Sequence, residues 1–175
     1  TLPDGLRVLI RPLVPKDRDA LVALFGNLPQ EETQSFRSKV TEPGLVASWA
    51  ENPDYARVFP LVAVVSDRIV GNCTLHLGRG YTRHTAEIRI FLLREYRRRG
   101  LGTLMLKTLL DLARKAGIQF VIAQVVADQT RVVEAFHQLG FERKVTLPDF
   151  YLMPNGDAHD VVLMVLSLKA KREDF

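Results

Sequence analysis

The chain is 175 residues long, with 47% hydrophobic and 25% charged residues, which is typical of a globular protein. This length is enough for one hydrophobic core, so we expect a single domain over residues 1–175. The only cysteine is Cys73, which excludes a disulfide or a cysteine-based metal site within the chain. The four histidines lack the spacing of metal ligands, so no metal is expected.

The net charge of +4 is uneven, because much of the excess lies at Arg94 and at residues 97–99. An anionic cofactor would account for such a local cluster. A nucleic-acid partner is disfavoured because no basic face is interleaved with aromatic residues. The longest apolar run, residues 58–65, is too short to cross a membrane and is typical of a buried strand. No signal peptide is recognisable, so we expect a cytoplasmic protein. Neither a nucleic-acid partner nor a membrane partner is expected.

The N-terminal third is predicted to contain one strand followed by three helical stretches, at residues 6–11, 15–25, 29–39 and 45–51. Pro15 and Asp17 suit the first turn of the first helix. Phe36 and Trp49 could line a pocket, although packing in the core is the favoured role for both.

The rest of the chain alternates strands with two helices. Residues 58–65 and 68–77 are predicted to form a hairpin across a two-residue turn, with Cys73 as a buried filler in the second strand. Further strands are predicted at residues 86–92, 118–126, from 141 onward and at 160–168, and helices at 101–116 and 131–139. Strand, helix and strand over residues 86–126 predict a right-handed βαβ unit with two parallel strands.

Residues 85–112 are the most informative stretch of the sequence. Apolar and mostly polar residues alternate along residues 86–92, which predicts a strand with one buried face. Residues 97–102 form a basic glycine turn after this strand. The buried stripe of the following helix is predicted from residues spaced three or four apart: Leu101, Met105, Leu109, Leu112 and Ala116.

The turn at residues 97–102 has the chemistry of a phosphate-binding loop. Gly100 and Gly102 have no Cβ, so the backbone can approach a ligand closely. The N–H groups of the helix's first turn and the helix dipole favour an anion, and three arginines add fixed positive charge. A pyrophosphate fits these features better than a single phosphate does. The alternative is a solvated basic turn that only begins a helix.

Two common phosphate loops do not fit these residues. A P-loop requires lysine and then serine or threonine after its last glycine, whereas Gly102 is followed by Thr103 and Leu104. A dinucleotide-binding fingerprint requires a third glycine, where this chain has Met105. It also requires an acidic residue about 20 positions further on, where residues 120–124 have none.

Residues 97–102 resemble the R/Q-x-x-G-x-G/A signature of the GCN5-related N-acetyltransferases, the GNAT family. The resemblance extends to the A-E-I at residues 86–88, on the preceding strand, and to the L-G-F at residues 139–141, which is similar to the end of the family's second motif. It covers residues 85–141, and the motifs occur in the family's order and spacing.

The resemblance implies the acyl-CoA N-acyltransferase fold, an α/β (α+β) fold. In this fold helices flank a central mixed sheet whose two parallel strands splay apart. It implies acetyl-CoA as cosubstrate, a cofactor-binding core at about residues 85–141, and an acceptor side at about residues 15–52. The gap between the splayed strands would let the pantetheine arm bond to backbone at Phe91 and Leu92. The loop around the pyrophosphate would comprise Arg97, Arg98, Arg99, Gly100, Leu101, Gly102 and Thr103.

Two expected cofactor-side positions depart from the family's pattern. Gln129 stands where relatives often carry an asparagine that contacts the cofactor, and its amide could make a similar hydrogen bond. Phe136 stands where many relatives carry a tyrosine that protonates the leaving thiolate. Tyr151 and His137 are conceivable substitutes, but neither is adopted as the acid, because His137 follows Phe136 and should point elsewhere on the helix. A thiol with a pKa near about 8.5 is already a good leaving group, so an acid contributes little.

Glu87 is the candidate general base, acting directly or through water, because it lies on the polar face of the central strand. Its position matches that of a catalytic glutamate in some relatives. The alternative is a structural role, in which Glu87 pairs with Arg89, two residues away on the same face.

Together these features predict an N-acetyltransferase that moves an acetyl group from acetyl-CoA to a primary amine by direct attack in a ternary complex. The acceptor could be a small molecule, a protein lysine or a protein N-terminus. The alternative is a non-catalytic acyl-CoA-binding sensor or regulatory module, which the missing tyrosine at residue 136 keeps open. The resemblance also allows a homodimer.

Overall fold

The computed structural model describes residues 1–26, 28, 50 and 57–168. The helices predicted at residues 29–39 and 45–51 lie outside these residues, apart from Ala50, and so do Phe36 and Trp49. Within the described part of the chain, no helix is long and apolar enough to cross a membrane.

Seven strands form a single mixed sheet in the order β1-β2-β3-β4-β5-β7-β6. The strands are β1 (Leu9–Pro12), β2 (Val58–Val65), β3 (Arg68–Leu77), β4 (Thr85–Leu92), β5 (Phe120–Val126), β6 (Glu142–Leu152) and β7 (Ala158–Ser167). All neighbours pair antiparallel except β4 and β5, which are parallel as predicted. The β2–β3 hairpin turns at Ser66 and Asp67, both at positive φ, as a two-residue hairpin turn requires.

The two central strands diverge soon after they meet. β4 and β5 pair over only three positions, from Thr85 and Phe120 to Glu87 and Ile122. Both strands continue beyond the last pair, β4 to Leu92 and β5 to residue 126. The mixed sheet with splayed parallel strands that the family resemblance implied is therefore confirmed.

The described helices are α1 (Arg18–Gly26), α2 (Leu101–Lys115) and α3 (Thr130–Gln138). α1 begins three residues later than predicted, because residues 15–17 form a single 3-10 turn. The Asp17 carboxylate fixes this turn: it accepts the Val14 N–H at 2.9 Å and both terminal nitrogens of Arg11 at 2.7 Å. Asp17 is buried, and the Arg11 guanidinium holds the pKa of its carboxyl below the usual range.

α2 and α1 flank the centre of the sheet. Gly71 on β3 makes room for α2, since a Cβ there would approach Leu92 Cδ2 to 2.5 Å and Met105 Sδ to 3.3 Å. On α1, the Phe25 ring lies 5.7 Å from that of Phe91 on β4. The buried α2 residues are Leu101, Met105, Leu106, Leu109, Leu110 and Ala113. The predicted stripe was wrong at its C-terminal end, where Leu112 and Ala116 are exposed because burial advances in steps of four to Ala113.

The first strand is shorter than predicted. Residues 6–8 precede β1, because a turn closes residues 2–6: Leu6 O accepts the Leu2 N–H at 2.8 Å, and Asp4 Oδ1 accepts the Leu6 N–H at 3.1 Å. Gly5 has a φ of 89° in this turn. Leu2 is buried, so this N-terminal segment is part of the core.

Candidate active site

The basic glycine turn enters α2 in a conformation that only glycine adopts without strain. Gly100 is the N-cap residue with φ 84° and ψ −2°, and Arg98 is also at positive φ. An α-helix leaves its first N–H groups without intrahelical acceptors, so those of Leu101, Gly102 and Thr103 face the turn. Leu101 is fully buried and Thr103 is exposed. The N-terminus of α2 thus has the geometry of an anion site.

The arginines of the turn are held in different ways. Arg97 Nε donates to the Leu92 carbonyl oxygen at 2.9 Å, and its guanidinium lies 5.7 Å from the centre of the Phe91 ring. Arg99 Nε lies 3.5 Å from Asp4 Oδ2, a separation that allows a weak surface ion pair. Arg97 is therefore directed toward the end of β4, while Arg99 is tied to the N-terminal segment.

Gly102 brings α2 close to the end of β4. A Cβ at this position would lie 3.2 Å from Leu92 Cδ1 and 3.7 Å from Ile90 Cδ1. The missing side chain therefore serves packing between the helix and the strand, in addition to leaving the backbone accessible to a ligand.

The gap between β4 and β5 is lined by alternate backbone groups of β4. The Leu93 N–H donates to Val70 O on β3 at 2.9 Å, so the odd-numbered residues of β4 direct their backbone groups toward β3. The even-numbered residues Ile90 and Leu92 direct theirs toward the gap. Of the two backbone positions expected at the cofactor, Leu92 faces the gap and Phe91 faces β3, so Phe91 contributes its ring under Arg97 instead.

One face of the sheet carries a cluster of polar side chains beside this gap. On β3, Thr74 and His76 lie opposite Arg89 and Glu87 of β4, so the four side chains share one face. Thr74 Oγ1 and His76 Nε2 are 2.8 Å apart, and Arg89 Nε donates to Glu87 Oε1 at 3.2 Å. We call these four residues the polar quartet. Asn72 continues the same face, and its buried Oδ1 has no hydrogen-bond partner in the part of the chain described.

A fifth polar group stands across the gap. Glu87 pairs with Ile122, so Gln124, two residues further along β5, lies on the face that carries the quartet. The Tyr151 hydroxyl on β6 donates to Gln124 Oε1 at 2.8 Å. Tyr151, which the sequence alone did not favour as a donor, is therefore hydrogen-bonded to β5, the strand on the far side of the gap.

The remaining predicted positions lie on or near α3. Gln129 is the exposed N-cap residue of α3, and its backbone oxygen accepts the N–H groups of residues 132 and 133. Phe136 is 3% exposed and packs edge to face on Phe141, with ring centres 5.0 Å apart. It is a core residue in this structure, and His137 beside it is exposed.

Cys73 is fully buried on β3, and burial raises the pKa of its thiol. The prediction of a buried filler is therefore confirmed. Among the residues that the structure describes, no group of three or more His, Cys, Asp or Glu side chains is arranged to hold a metal ion.

A splayed parallel pair with a basic glycine turn at its open end defines the class of protein as an acyltransferase fold. The chain belongs to the acetyltransferase (GNAT) family, whose profile matches residues 25–141.

One curated relative is similar in sequence, and two solved structures share the fold. N-alpha-acetyltransferase 30 of Schizosaccharomyces pombe is 28% identical over 139 residues, which are 78% of this chain and 87% of that protein. Ribosomal-protein-alanine N-acetyltransferase from Brucella melitensis superposes with a TM-score of 0.79 at 23% identity, covering 91% of this chain and 99% of that one. The structure of yncA from Salmonella typhimurium with its cofactor acetyl-CoA has a TM-score of 0.79 at 19% identity, covering 94% and 96%.

Several residues of the site were not predicted from sequence. Ile90 was missed because backbone direction depends on the β3–β4 register. Thr74 and His76 were missed although a signal was present: polar Asn72, Thr74 and His76 alternate with apolar residues along β3. This alternation would have marked a second polar strand next to that of Glu87.

Proposed function

We propose that the protein transfers an acetyl group from acetyl-CoA to a primary amine by direct attack in a ternary complex. The observation that carries the proposal is the position of the anion site directly at the open end of the β4–β5 gap. A pyrophosphate bound at the first turn of α2 would place the pantetheine arm in the gap, beside the edge of β4 that does not pair with β3. The second candidate, a non-catalytic acyl-CoA sensor, uses the same anion site and gap.

The residues of the turn fit the proposed cosubstrate. Gly100 adopts the conformation that opens the N–H groups of α2, and Gly102 leaves no Cβ between helix and strand. Arg97, Arg98 and Arg99 would supply charge to the pyrophosphate, and the gap-facing backbone of Leu92 and Ile90 would bond to the pantetheine amides. Acetyl-CoA supplies an activated acyl group whose thiol is a good leaving group.

Glu87 and Tyr151 are the side chains proposed to move protons. Glu87 would take a proton from the acceptor amine, directly or through water, because it ends the paired part of β4 and faces the polar side. The Tyr151 hydroxyl would donate toward the leaving thiolate from its place on Gln124. General acid or base catalysis of this kind typically contributes between 10²- and 10⁴-fold in rate.

The acceptor that we propose is the α-amine of a protein N-terminus. Two relatives support it, since their names describe an N-alpha-acetyltransferase and an acetyltransferase of a ribosomal-protein alanine. Chemistry supports it as well. An α-amine has an ordinary pKa of about 8, against about 10.4 for lysine, so less driving force is needed to deprotonate it near neutral pH.

Titration calorimetry with acetyl-CoA, followed by an assay of free thiol release, tests the proposal. The acceptors are a short peptide with an N-terminal alanine, the same peptide blocked at its N-terminus but containing lysine, and a polyamine. We expect binding, and thiol release only with the free α-amine. Binding without release for every acceptor would favour the sensor, and absence of binding would overturn both candidates.

Glu87→Gln tests the base, and the chain contains a matched control. Glu142 is also a strand glutamate paired with a cation two residues away, since Lys144 Nζ lies 2.7 Å from its carboxylate. Glu87→Gln should lower kcat by at least about 10²-fold with the affinity for acetyl-CoA unchanged. Glu142→Gln should leave both unchanged, and equal kcat values for the two variants would remove Glu87 as base.

A further inference from the structure

His76 lies directly opposite the proposed base. The register of β3 and β4 pairs His76 with Glu87, and side chains at such positions have Cβ atoms about 4.5–5.5 Å apart. His76 is half-buried, and its Nε2 is fixed 2.8 Å from Thr74 Oγ1 on the same strand. One ring nitrogen, Nε2, is therefore held by Thr74, and Nδ1 is the second nitrogen, on the residue opposite Glu87.

The chemistry of the proposed reaction makes this neighbour important. An ordinary carboxyl has a pKa of about 4.3 and an α-ammonium about 8, so transfer of a proton to a carboxylate alone is unfavourable by several thousand-fold. An ordinary imidazole, with a pKa of about 6.5, reduces that ratio to roughly thirty-fold. A carboxylate that passes the proton on to a histidine therefore accepts it from the ammonium far more favourably than a carboxylate alone does.

We infer that Glu87 and His76 form a proton relay; the inference rests on the proposed function. The acceptor's N–H bond breaks as Glu87 takes the proton, directly or through water, and Glu87 then transfers it to Nδ1 of His76. The relay requires Nε2 to keep its proton and to donate it to Thr74 Oγ1, 2.8 Å away, so that Nδ1 is the basic nitrogen. The imidazolium formed in this way releases the proton to solvent after acetyl transfer.

The charges around His76 support this role. Glu87 lies directly opposite His76 on β4, Arg89 lies on the same face, and Arg89 Nε is 3.2 Å from Glu87 Oε1. β2 contributes Val58 opposite His76, and Arg57 precedes that strand. Arg57 does not share this face, since the Leu77 N–H donates to Arg57 O at 2.7 Å and places Arg57 opposite Leu77. Within residues 1–26, 28, 50 and 57–168, Glu87 is thus an anion that would stabilise a charged His76, against the cation Arg89.

Two measurements on the full chain test the relay. The first is the pH dependence of kcat with acetyl-CoA and the peptide that begins with alanine, because kcat reports the groups that titrate in the bound complex. We expect kcat of the wild type to rise with pH as His76 loses its proton. His76→Gln should lower kcat by about 10²-fold and remove this limb, with the affinity for acetyl-CoA unchanged. Exposed His137→Gln is the control and should preserve the profile.

Thr74 separates a relay from simple packing. Thr74→Val keeps the shape but removes the oxygen that fixes the tautomer, so kcat should fall several-fold. Thr74→Ser keeps the oxygen and should restore the wild-type profile. If Thr74→Val and Thr74→Ser have the same kcat and the same pH limb, the tautomer-fixing role of Thr74 is wrong.

The second measurement does not depend on turnover. NMR titration of the imidazole resonances, assigned with His76→Gln, should show that Glu87→Gln lowers the titration midpoint of His76 and leaves those of His84 and His137 unchanged. An unchanged His76 midpoint would overturn the relay, whether or not the protein is active. Failure of acetyl-CoA to bind would instead overturn the proposed function, and the coupling between His76 and Glu87 would be judged by the titration alone.

Discussion

Replacement of Arg97 by glutamine tests whether the glycine turn binds a pyrophosphate. Arg97 is exposed, donates to the Leu92 carbonyl at 2.9 Å and covers the Phe91 ring. Its removal takes one fixed positive charge from the mouth of the gap and leaves the turn's glycines in place. The Leu92 carbonyl lies at an exposed site, so water can replace the lost donor.

The expected loss can be worked out from these contacts. A hydrogen bond to a charged group contributes about 1.5–3 kcal/mol, so loss of one Arg97–phosphate contact should weaken acetyl-CoA binding by about 10- to 150-fold. The expected loss of folding stability is smaller, because an exposed cation–π contact contributes about 0.5–1 kcal/mol. Titration calorimetry should therefore show a large change in Kd, and urea unfolding only a small change in stability.

Arg114→Gln is the matched control, because it removes the same charge from the other end of α2. Arg114 is exposed and pairs with Asp111, and the 15 residues of α2 place it about 20 Å away from the turn. That distance is about twice the Debye length of roughly 10 Å at 0.1 M salt, so its effect on Kd should be slight. S-acetylpantetheine, which lacks the pyrophosphate, should bind wild type and Arg97→Gln equally. Equal Kd values of both variants for acetyl-CoA would refute the assignment.

Three further predictions concern buried groups. Asn72→Leu should raise the unfolding free energy by about 1 kcal/mol in urea titrations, because it removes a buried oxygen without a partner among the described residues. Cys73 should resist thiol reagents at pH 8 until the chain is unfolded, since burial raises its pKa and the thiolate is the reactive form. Asp17→Asn should destabilise the protein by about 2 kcal/mol at pH 7, and less at pH 3. The pKa of Asp17 is lowered by Arg11, so its contribution is complete above the ordinary carboxyl pKa and is lost as pH falls through the folded value.

Each of these has an outcome that contradicts its reasoning. A lower stability of Asn72→Leu would mean that the amide is bonded in the folded protein. Rapid labelling of Cys73 under native conditions would mean that the strand opens readily. A loss for Asp17→Asn that is the same at pH 3 as at pH 7 would show that charge is not its source.

The fold was predicted well because its signals are local. Alternation along residues 86–92, the stripe from Leu101 and the glycine turn between them specify a strand, a helix and their connection. The errors have two different sources. β1 is shortened by a local turn in which the Leu2 N–H donates to Leu6 O, and this turn ends before the strand begins. The end of the α2 stripe depends on which helix residues the sheet covers, and that is a relation between segments distant in sequence.

The candidate site was predicted in part for a related reason. Residues 97–102 are contiguous, and Glu87 belongs to a motif that resembles the family's, so the sequence was enough to predict both as candidates. The contribution of Ile90 depends on which edge of β4 pairs with β3, and that of His76 depends on the register of two antiparallel strands. A register is a relation between segments, so one strand's sequence does not specify it.

The structure also bears on the alternative role of Glu87. The ion pair with Arg89 exists at 3.2 Å, so a structural role and a catalytic role involve the same carboxylate. The side chains of Glu87 and Arg89 are 21% and 43% exposed, respectively. Ion pairs with this exposure contribute about 1 kcal/mol or less to stability. Release of Glu87 from Arg89 when an acceptor binds would then cost no more than about a factor of five. That is small beside the 10²- to 10⁴-fold that a positioned base typically contributes, so the observed pairing does not argue against the base.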